Sequence, residues 1–238
     1  CYERADDIGF GVSGVVTKGR GIKASFPDLD PAAIPMAAKV AGEKVVYLLD
    51  PHGAARKTPG LKALEAGVKL LAKDHAYELP VIPGFLQKHD GLVLSLGQFL
   101  SWAGGELMGS GLVQIWPGTP VAAPLIEKDE VTGVRLLDQG VDKKGQPEGA
   151  FMPGMDLKAT LTVVGDGPVG PVGAALDAHF GLPRGNHQRD WAVGMKAVVD
   201  LPEGHGLAEG TVLHTLGYPE PEIFGFLYVL PGNVASLG

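Results

Sequence analysis

Residues 159–164 are apolar or β-branched and run into Gly165-Asp166-Gly167, directly ahead of a helical pattern. A strand that ends on such a turn can do a definite kind of chemistry. Glycine lets the backbone come close to a phosphate, the unpaired N–H groups of the helix start face it, and an aspartate accepts ribose or ribityl hydroxyls. The same tripeptide also serves as a plain tight turn, and taken alone it does not choose between the two. Tyr2-Glu3-Arg4 is a second signal of this kind. An acidic residue that closes the second strand of a dinucleotide fold binds the adenosine ribose, and the Gly-x-Gly-x-x-Gly turn that accompanies it belongs ~20 residues upstream.

Other chemistries find less support. The seven histidines, His52, His75, His89, His179, His187, His205 and His214, show no His-x-x-x-His or His-x-His spacing, which disfavours zinc or iron and reads them mostly as surface or loop residues. No metal site is expected. Serine hydrolysis lacks its Gly-x-Ser-x-Gly elbow, since Val12-Ser13-Gly14-Val15 has no strand-to-helix context. Cys1 is the sole cysteine, so an internal disulfide, a thiolate metal cage and a self-contained iron–sulfur site are excluded. The sequence assigns no catalytic acid or base.

These residues need a scaffold, and composition bounds it. The 238 residues include 36 glycines and 19 prolines, together about twice the ordinary ~12% share, which rules out a coiled coil or a plain helical bundle. Hydrophobic residues at 45% and charged residues at 20% are globular values, enough for a real core. The net charge of −7, with no basic run longer than Lys143-Lys144, argues against a nucleic-acid partner, which demands a basic stripe. No apolar run approaches the ~20 residues that cross a bilayer. The apolar, Pro-broken run 79–86 reads either as buried coil or as a loop that touches a membrane.

Along the chain, residues 8–25 are rich in glycine and read as loop. Leu61, Leu64, Val68 and Leu71 repeat at helical spacing over 61–72. Leu92, Leu94 and Leu96 alternate as a strand, Phe99, Leu100, Ala103 and Leu107 follow as a helix, and 113–116 reads as another strand. Residues 124–150 form a β-meander with 143–146 at a hairpin tip, and 157–164 a buried strand. A short helix over 172–180 ends at Gly181. The stretches 191–199, 211–216 and 224–230 alternate as an antiparallel sheet. This order gives an α/β layer joined to an antiparallel β layer. The chain opens at Cys1 without an initiator Met and stops at 234–238 inside a strand-like run, which reads as a central piece of a longer enzyme.

Several strings then point one way. Leu96-Gly97-Gln98-Phe99-Leu100-Ser101-Trp102, Trp116-Pro117-Gly118 and Gly145-Gln146-Pro147 together resemble electron-transfer flavoprotein:ubiquinone oxidoreductases. The opening Tyr2-Glu3-Arg4, Ile8-Gly9 and Val12-Ser13-Gly14-Val15 is similar to that family's acidic strand end and Leu-Ser-Gly-Ala turn. Pro80-Val81-Ile82-Pro83-Gly84-Phe85 resembles its Pro-rich loop, and residues 211–219 and 226–228 its substrate-side sheet. The stretch 50–69 has no clear counterpart.

The resemblance implies a mixed α/β fold, with a p-hydroxybenzoate-hydroxylase-like FAD-binding domain and an antiparallel β substrate or quinone layer. Residues 1–25 and 91–180 would form part of the FAD domain, 26–90 a quinone- or membrane-facing insertion, and 181–238 the substrate-domain sheet. FAD is the implied cofactor: Glu3, with Arg4 beside it, on the adenosine ribose, Ser13 and Gly14 near the isoalloxazine, and Gly165, Asp166 and Gly167 near the phosphates and ribityl chain. Pro83, Gly84, Phe85 and Leu86 would face the membrane at the quinone entrance. The implied activity passes electrons from electron-transfer flavoprotein to a quinone, with any iron–sulfur cluster in a C-terminal part outside this sequence. The expected location is the peripheral face of the inner membrane, cytoplasmic in a bacterium or archaeon and matrix-side in a eukaryote. Two alternatives stand beside this: a related flavin reductase or monooxygenase acting on an isoprenoid lipid or aromatic substrate, and a non-catalytic remnant serving as a binding module.

Overall fold

In the computed structural model, residues 1–9, 11, 13–49, 59–181, 193–218 and 223–238 are described. Val12, His52, His187, Trp191 and part of the 50–69 stretch therefore lie outside the described residues. The chain divides into two units, Cys1–Phe10 with Gly104–Val193, and Gly11–Ala103 with Gly194–Gly238. Element order is β1 (Gly14–Thr17), α1 (Arg20–Ser25), β2 (Ala37–Lys39), β3 (Gly42–Leu48), α2 (Pro59–Lys69), β4 (Ala76–Glu78), β5 (Leu92–Ser95) and α3 (Leu96–Gly109). There follow β6 (Val121–Glu127), β7 (Glu130–Leu136), β8 (Gln139–Val141), β9 (Pro147–Met152), β10 (Asp156–Lys158) and α4 (Pro171–Phe180). The chain closes with β11 (Ala197–Asp200), β12 (Thr211–Leu216), β13 (Phe224–Leu230) and β14 (Val234–Leu237).

The unit containing Gly11–Ala103 is a pair of layered sheets. Six strands run in the order β11-β14-β13-β12-β3-β4, and three more in the order β1-β5-β2. Alternation along β12 and β13 sends Val212, Tyr228 and Leu230 to one face, where they form a buried cluster with Val93 of β5. Val16, Met36, Val40 and Phe226 pack around it. Gly14 shows how close the layers come: a Cβ there would lie 2.7 Å from Ser236 Cβ and 2.8 Å from the Tyr228 ring. That packing corrects the expectation of loop over 8–25, because Gly14–Thr17 is recruited as a strand by antiparallel pairing with β5. The sheet of the last third is antiparallel from β11 to β12, as expected, but β12 pairs in parallel with β3, so the whole sheet is mixed. α2 begins and ends close to its predicted span, and Tyr47 on β3 donates to Glu65 of the helix at 3.2 Å.

The other unit is a meander. β6 and β7 form a hairpin whose two turn residues, Lys128 and Asp129, both take positive φ, as a primed two-residue turn requires. β8 and β9 form a second hairpin. At its tip Asp142 Oδ1 accepts from Lys144 N at 2.7 Å and Gln146 N at 2.8 Å, the turn predicted for 143–146. Helix α4 ends on Gly181 in the left-handed conformation, also as predicted.

Two expectations fail here. Residues 157–164 are not a buried strand: β10 stops at Lys158, and Leu161 and Val163 are 77% and 84% exposed. The physical reason is the partner. β10 runs along β7 from Arg135 back to Gly133, and β7 soon turns away into its hairpin, leaving the apolar residues nothing to ladder with. The strand expected over 113–116 is reduced to one parallel bridge, Tyr2 to Trp116.

Candidate functional site

A cavity of about 280 Å³ opens within the layered unit, lined by Val16, Leu86, Lys88, His214, Phe224, Gly225, Phe226 and Tyr228. Strand register explains the set. His214 lies opposite Phe226 on β13 and Val45 on β3, while Tyr228 lies opposite Val212, whose parallel partner is Glu43. With a side-chain period of two, Glu43, Val45, Val212, His214, Phe226 and Tyr228 share one face of the sheet. The Phe226 and Tyr228 rings stack at 4.5 Å, and the His214 ring meets Tyr228 edge-on at 6.4 Å. The cavity is thus walled by flat rings, with a few polar atoms among them. That is the make-up of a site for a ring-shaped, mostly apolar ligand.

The polar groups on and beside this sheet face are unusual for their burial. Glu43 has a side chain with 0% exposure, and both carboxylate oxygens accept the Lys88 backbone N–H, at 2.8 and 2.9 Å. The ring of His89, 66% exposed, places Nδ1 3.5 Å from Glu43 Oε2. His214 is 6% exposed, and its Nε2 has no hydrogen-bond partner among the described residues. Burial pushes the His214 imidazole below its usual range, Glu43 pulls it back up and Lys88 pushes it further down. Burial, aided by Glu43, raises the Tyr228 phenol.

The predicted site residues fall in different places. Leu86 reaches the cavity. Pro83 accepts from Leu86 N at 2.9 Å in a turn that leaves Phe85 74% exposed, and Lys88 Nζ donates to the Phe85 carbonyl at 3.0 Å. In the same unit, Ser13 Oγ accepts from Lys196 Nζ at 2.9 Å, and Ser13 O from Leu96 N at 2.8 Å. Gly14 is the close-packed glycine already described.

Glu3 and Arg4 lie in the meander unit, exposed, at the end of a short extended run. Glu3 N donates to Trp116 O at 3.0 Å and Glu3 O accepts from Thr119 N at 2.8 Å, so the backbone is fixed while the carboxylate faces solvent. Its Oε1 accepts from Ala5 N at 2.8 Å. Asp166 has a role of its own: Oδ2 accepts from Val172 N at 2.9 Å and Gly173 N at 3.1 Å, capping α4. Two of the helix-start N–H groups that the sequence offers to a phosphate are therefore taken by Asp166 itself. Gly170 accommodates this, since a Cβ there would lie 2.0 Å from the Asp166 carboxyl carbon. Gly167, at φ 76°, has open space where a side chain would stand, and so admits a ligand's close approach.

Sequence reasoning missed Glu43, Lys88 and His214 as site residues and read the histidines as mostly peripheral. His214 is instead buried. A signal existed: residues 211–216 alternate, which puts His214 between Val212 and Leu216 on an apolar face. For Glu43 no local signal existed, because its burial comes from the segment at Lys88, 45 residues on.

Comparison with known proteins gives first a class and then a relationship. The chain has the fold of a geranylgeranyl bacteriochlorophyll reductase-like protein from Thermoplasma acidophilum, with TM-score 0.54 at 13% identity, covering 99% of this chain and 48% of that one. It matches no protein-family model. By sequence the chain is a homologue of the electron transfer flavoprotein-ubiquinone oxidoreductases, as the residue strings implied. The Pseudomonas aeruginosa protein of that name is 28% identical over 243 residues, covering 99% of this chain and 40% of the relative. The mitochondrial proteins of Arabidopsis thaliana and Homo sapiens are 32% and 29% identical over 71% and 75% of this chain, which matches 27% and 29% of their lengths. The chain thus spans well under half of the curated relatives it matches.

Proposed function

We propose that this chain is part of an FAD-dependent oxidoreductase that passes electrons from electron-transfer flavoprotein to a quinone, built on a p-hydroxybenzoate-hydroxylase-like FAD-binding fold. The observation that carries the reading is the ring-walled cavity, reached by Leu86 of the predicted quinone loop, in a chain whose relatives are named for ubiquinone. FAD, when bound, supplies reversible two-electron chemistry. Glu3 offers an exposed carboxylate on a fixed backbone to the adenosine ribose, with Arg4 beside it. Ser13 offers a hydroxyl already joined to a cation, Lys196, at the isoalloxazine, and Gly14 follows it in the chain. Gly165, Asp166 and Gly167 would face the phosphates and ribityl chain, with Asp166 capping α4 and Gly167 leaving its space open.

The cavity takes the quinone ring, and Pro83, Gly84, Phe85 and Leu86 meet the bilayer. Among the described residues no helix is long and apolar enough to cross a membrane, and contact through this loop is peripheral. The proposed location is the inner membrane, on the matrix side in a eukaryote, whose relatives here are named mitochondrial, and on the cytoplasmic side in a bacterium or archaeon. Any iron–sulfur cluster belongs to a C-terminal part of a longer chain. The likeness to a geranylgeranyl reductase-like protein favours a second reading, a flavin reductase acting on an isoprenoid lipid.

The test is the visible spectrum of the protein after incubation with FAD and gel filtration. Two flavin bands that bleach with dithionite and return with ubiquinone-1 support the proposal. Bands that ignore quinone but return with a geranylgeranyl substrate favour the second reading, and a colourless protein moves the cofactor claim off these residues.

A further inference from the structure

We propose that His214 is the polar contact that recognises an oxygen of the ring-shaped ligand in this cavity, backed on the same sheet face by the buried Glu43 carboxylate, which His89 links to solvent. The inference rests on the quinone reading of the cavity. A buried imidazole nitrogen without a partner is costly, and Nε2 of His214 is such an atom in a residue that lines the cavity. Nε2 has almost no accessible surface, so a carbonyl oxygen of a bound quinone satisfies it only once the imidazole turns toward the cavity. The ring faces beside it, Phe226 and Tyr228, supply stacking surface, so the residue that distinguishes an oxygen-bearing ring from a hydrocarbon ring is His214.

Glu43 gives this contact a link to pH. It stands on the same sheet face, diagonal to His214 across the β3–β12 pair, fully buried and locked by the Lys88 N–H. His89, at 3.5 Å from the carboxylate, is the exposed end of the line. The titratable and charged groups around His214 are Glu43 from β3, Tyr228 from β13, and Lys88 and His89 from the segment after the Pro-rich loop. Burial keeps the imidazole neutral at pH 7, and Glu43 opposes that. Protonation turns both ring nitrogens into donors, so ligand binding strengthens as pH falls through the His214 value.

The experiment titrates the full chain with ubiquinone-1, whose ring has no free position for addition to the Cys1 thiol, by calorimetry between pH 5 and 8. In parallel the His214 ring nitrogens are followed by NMR. His214→Phe is expected to weaken binding about tenfold, the loss of one hydrogen bond, and quinone to shift the wild-type Nε2 resonance. His214→Gln retains an N–H donor, keeps most of the affinity and loses the pH dependence; it carries the test if the Phe variant does not fold. Glu43→Gln moves the pH dependence to lower pH. Equal binding by wild type and His214→Phe, or an unmoved Nε2 resonance in quinone-bound wild type, overturns this inference alone. A wild type that binds no ubiquinone-1 overturns the quinone reading along with it.

Discussion

The two units of this chain use similar strands and reach opposite outcomes. Among the described residues, every buried hydrophobic side chain except Val172 belongs to the layered unit, as do the buried polar residues Glu65, Thr211, His214 and Ser236. The meander unit instead leaves Leu112, Trp116, Met152, Leu161 and Val163 exposed. The difference lies in cover. A sheet buries a face only where a second layer lies on it, and β1-β5-β2 gives the six-stranded sheet such a layer, through Val16 and Val93, with Met36 just ahead of β2 beside them. The three strands β10-β7-β6 meet one helix, α4, mainly along β6. Burial in turn makes the chemistry: His214 has an altered titration because it sits under the second layer, whereas exposed Glu3 and Asp166 act through backbone geometry.

The sharpest way to break this contrast is a truncation in each unit. Leu230→Ala, in the buried cluster, should cost about 2–5 kcal/mol in denaturant unfolding. A cost under about 1 kcal/mol would mean that the layers do not carry the fold. In the meander the sensitive positions are backbone ones. Gly133→Ala places a Cβ 1.9 Å from Leu157 O at φ 153° and should cost about 1–3 kcal/mol, visible as lost hydrogen-exchange protection at Ala159 N, which donates to Thr132 O.

Asp166→Ala removes the cap of α4 and should cost about 1 kcal/mol, read as faster exchange at Val172 and Gly173. Unchanged exchange there would return Asp166 to the role of a free ligand group. Acid should act through the layered unit. The unfolded imidazole takes a proton below about pH 6.5, and the folded one, held lower by burial, refuses it until a lower pH. Stability therefore falls as pH drops below about 6.5 and the His214 contribution levels off beneath its folded value; thermal melts of wild type and His214→Gln, compared at pH 7.5 and 5.5, should show the smaller acid loss in the variant. Least of all, Leu161→Ala, at an exposed position, should stay within about 0.5 kcal/mol of wild type in the same denaturant titration.

Much of this fold could be read before any coordinates. Helix α4 and its Gly181 stop, β5 running into α3, and the hairpin at 143–146 all follow from local periodicity and turn residues. Strands at 14–17 and 159–164 went wrong in opposite directions for one reason. Gly14–Thr17 looked like loop and became a strand because β5 offered a ladder, while 159–164 looked like a buried strand and found none. At the site, Leu86 belonged to a legible Pro-rich loop, and the alternation of β12 hinted at His214. Glu43 gave no hint, since a glutamate followed by Lys44 reads as solvent-facing in any local window.

What the sequence determined by itself, then, is local: where helices stop, where hairpins turn, which residues alternate, and a likeness of motifs to one oxidoreductase family. Tertiary structure decided which alternating faces are covered, that β12 pairs in parallel with β3, that His214 and a stacked ring pair meet at one cavity, and that a carboxylate is buried on the same sheet face. The division has a physical origin. Backbone conformation responds to residues three or four positions away, whereas desolvation, and with it the titration of His214, is imposed by segments distant in the chain.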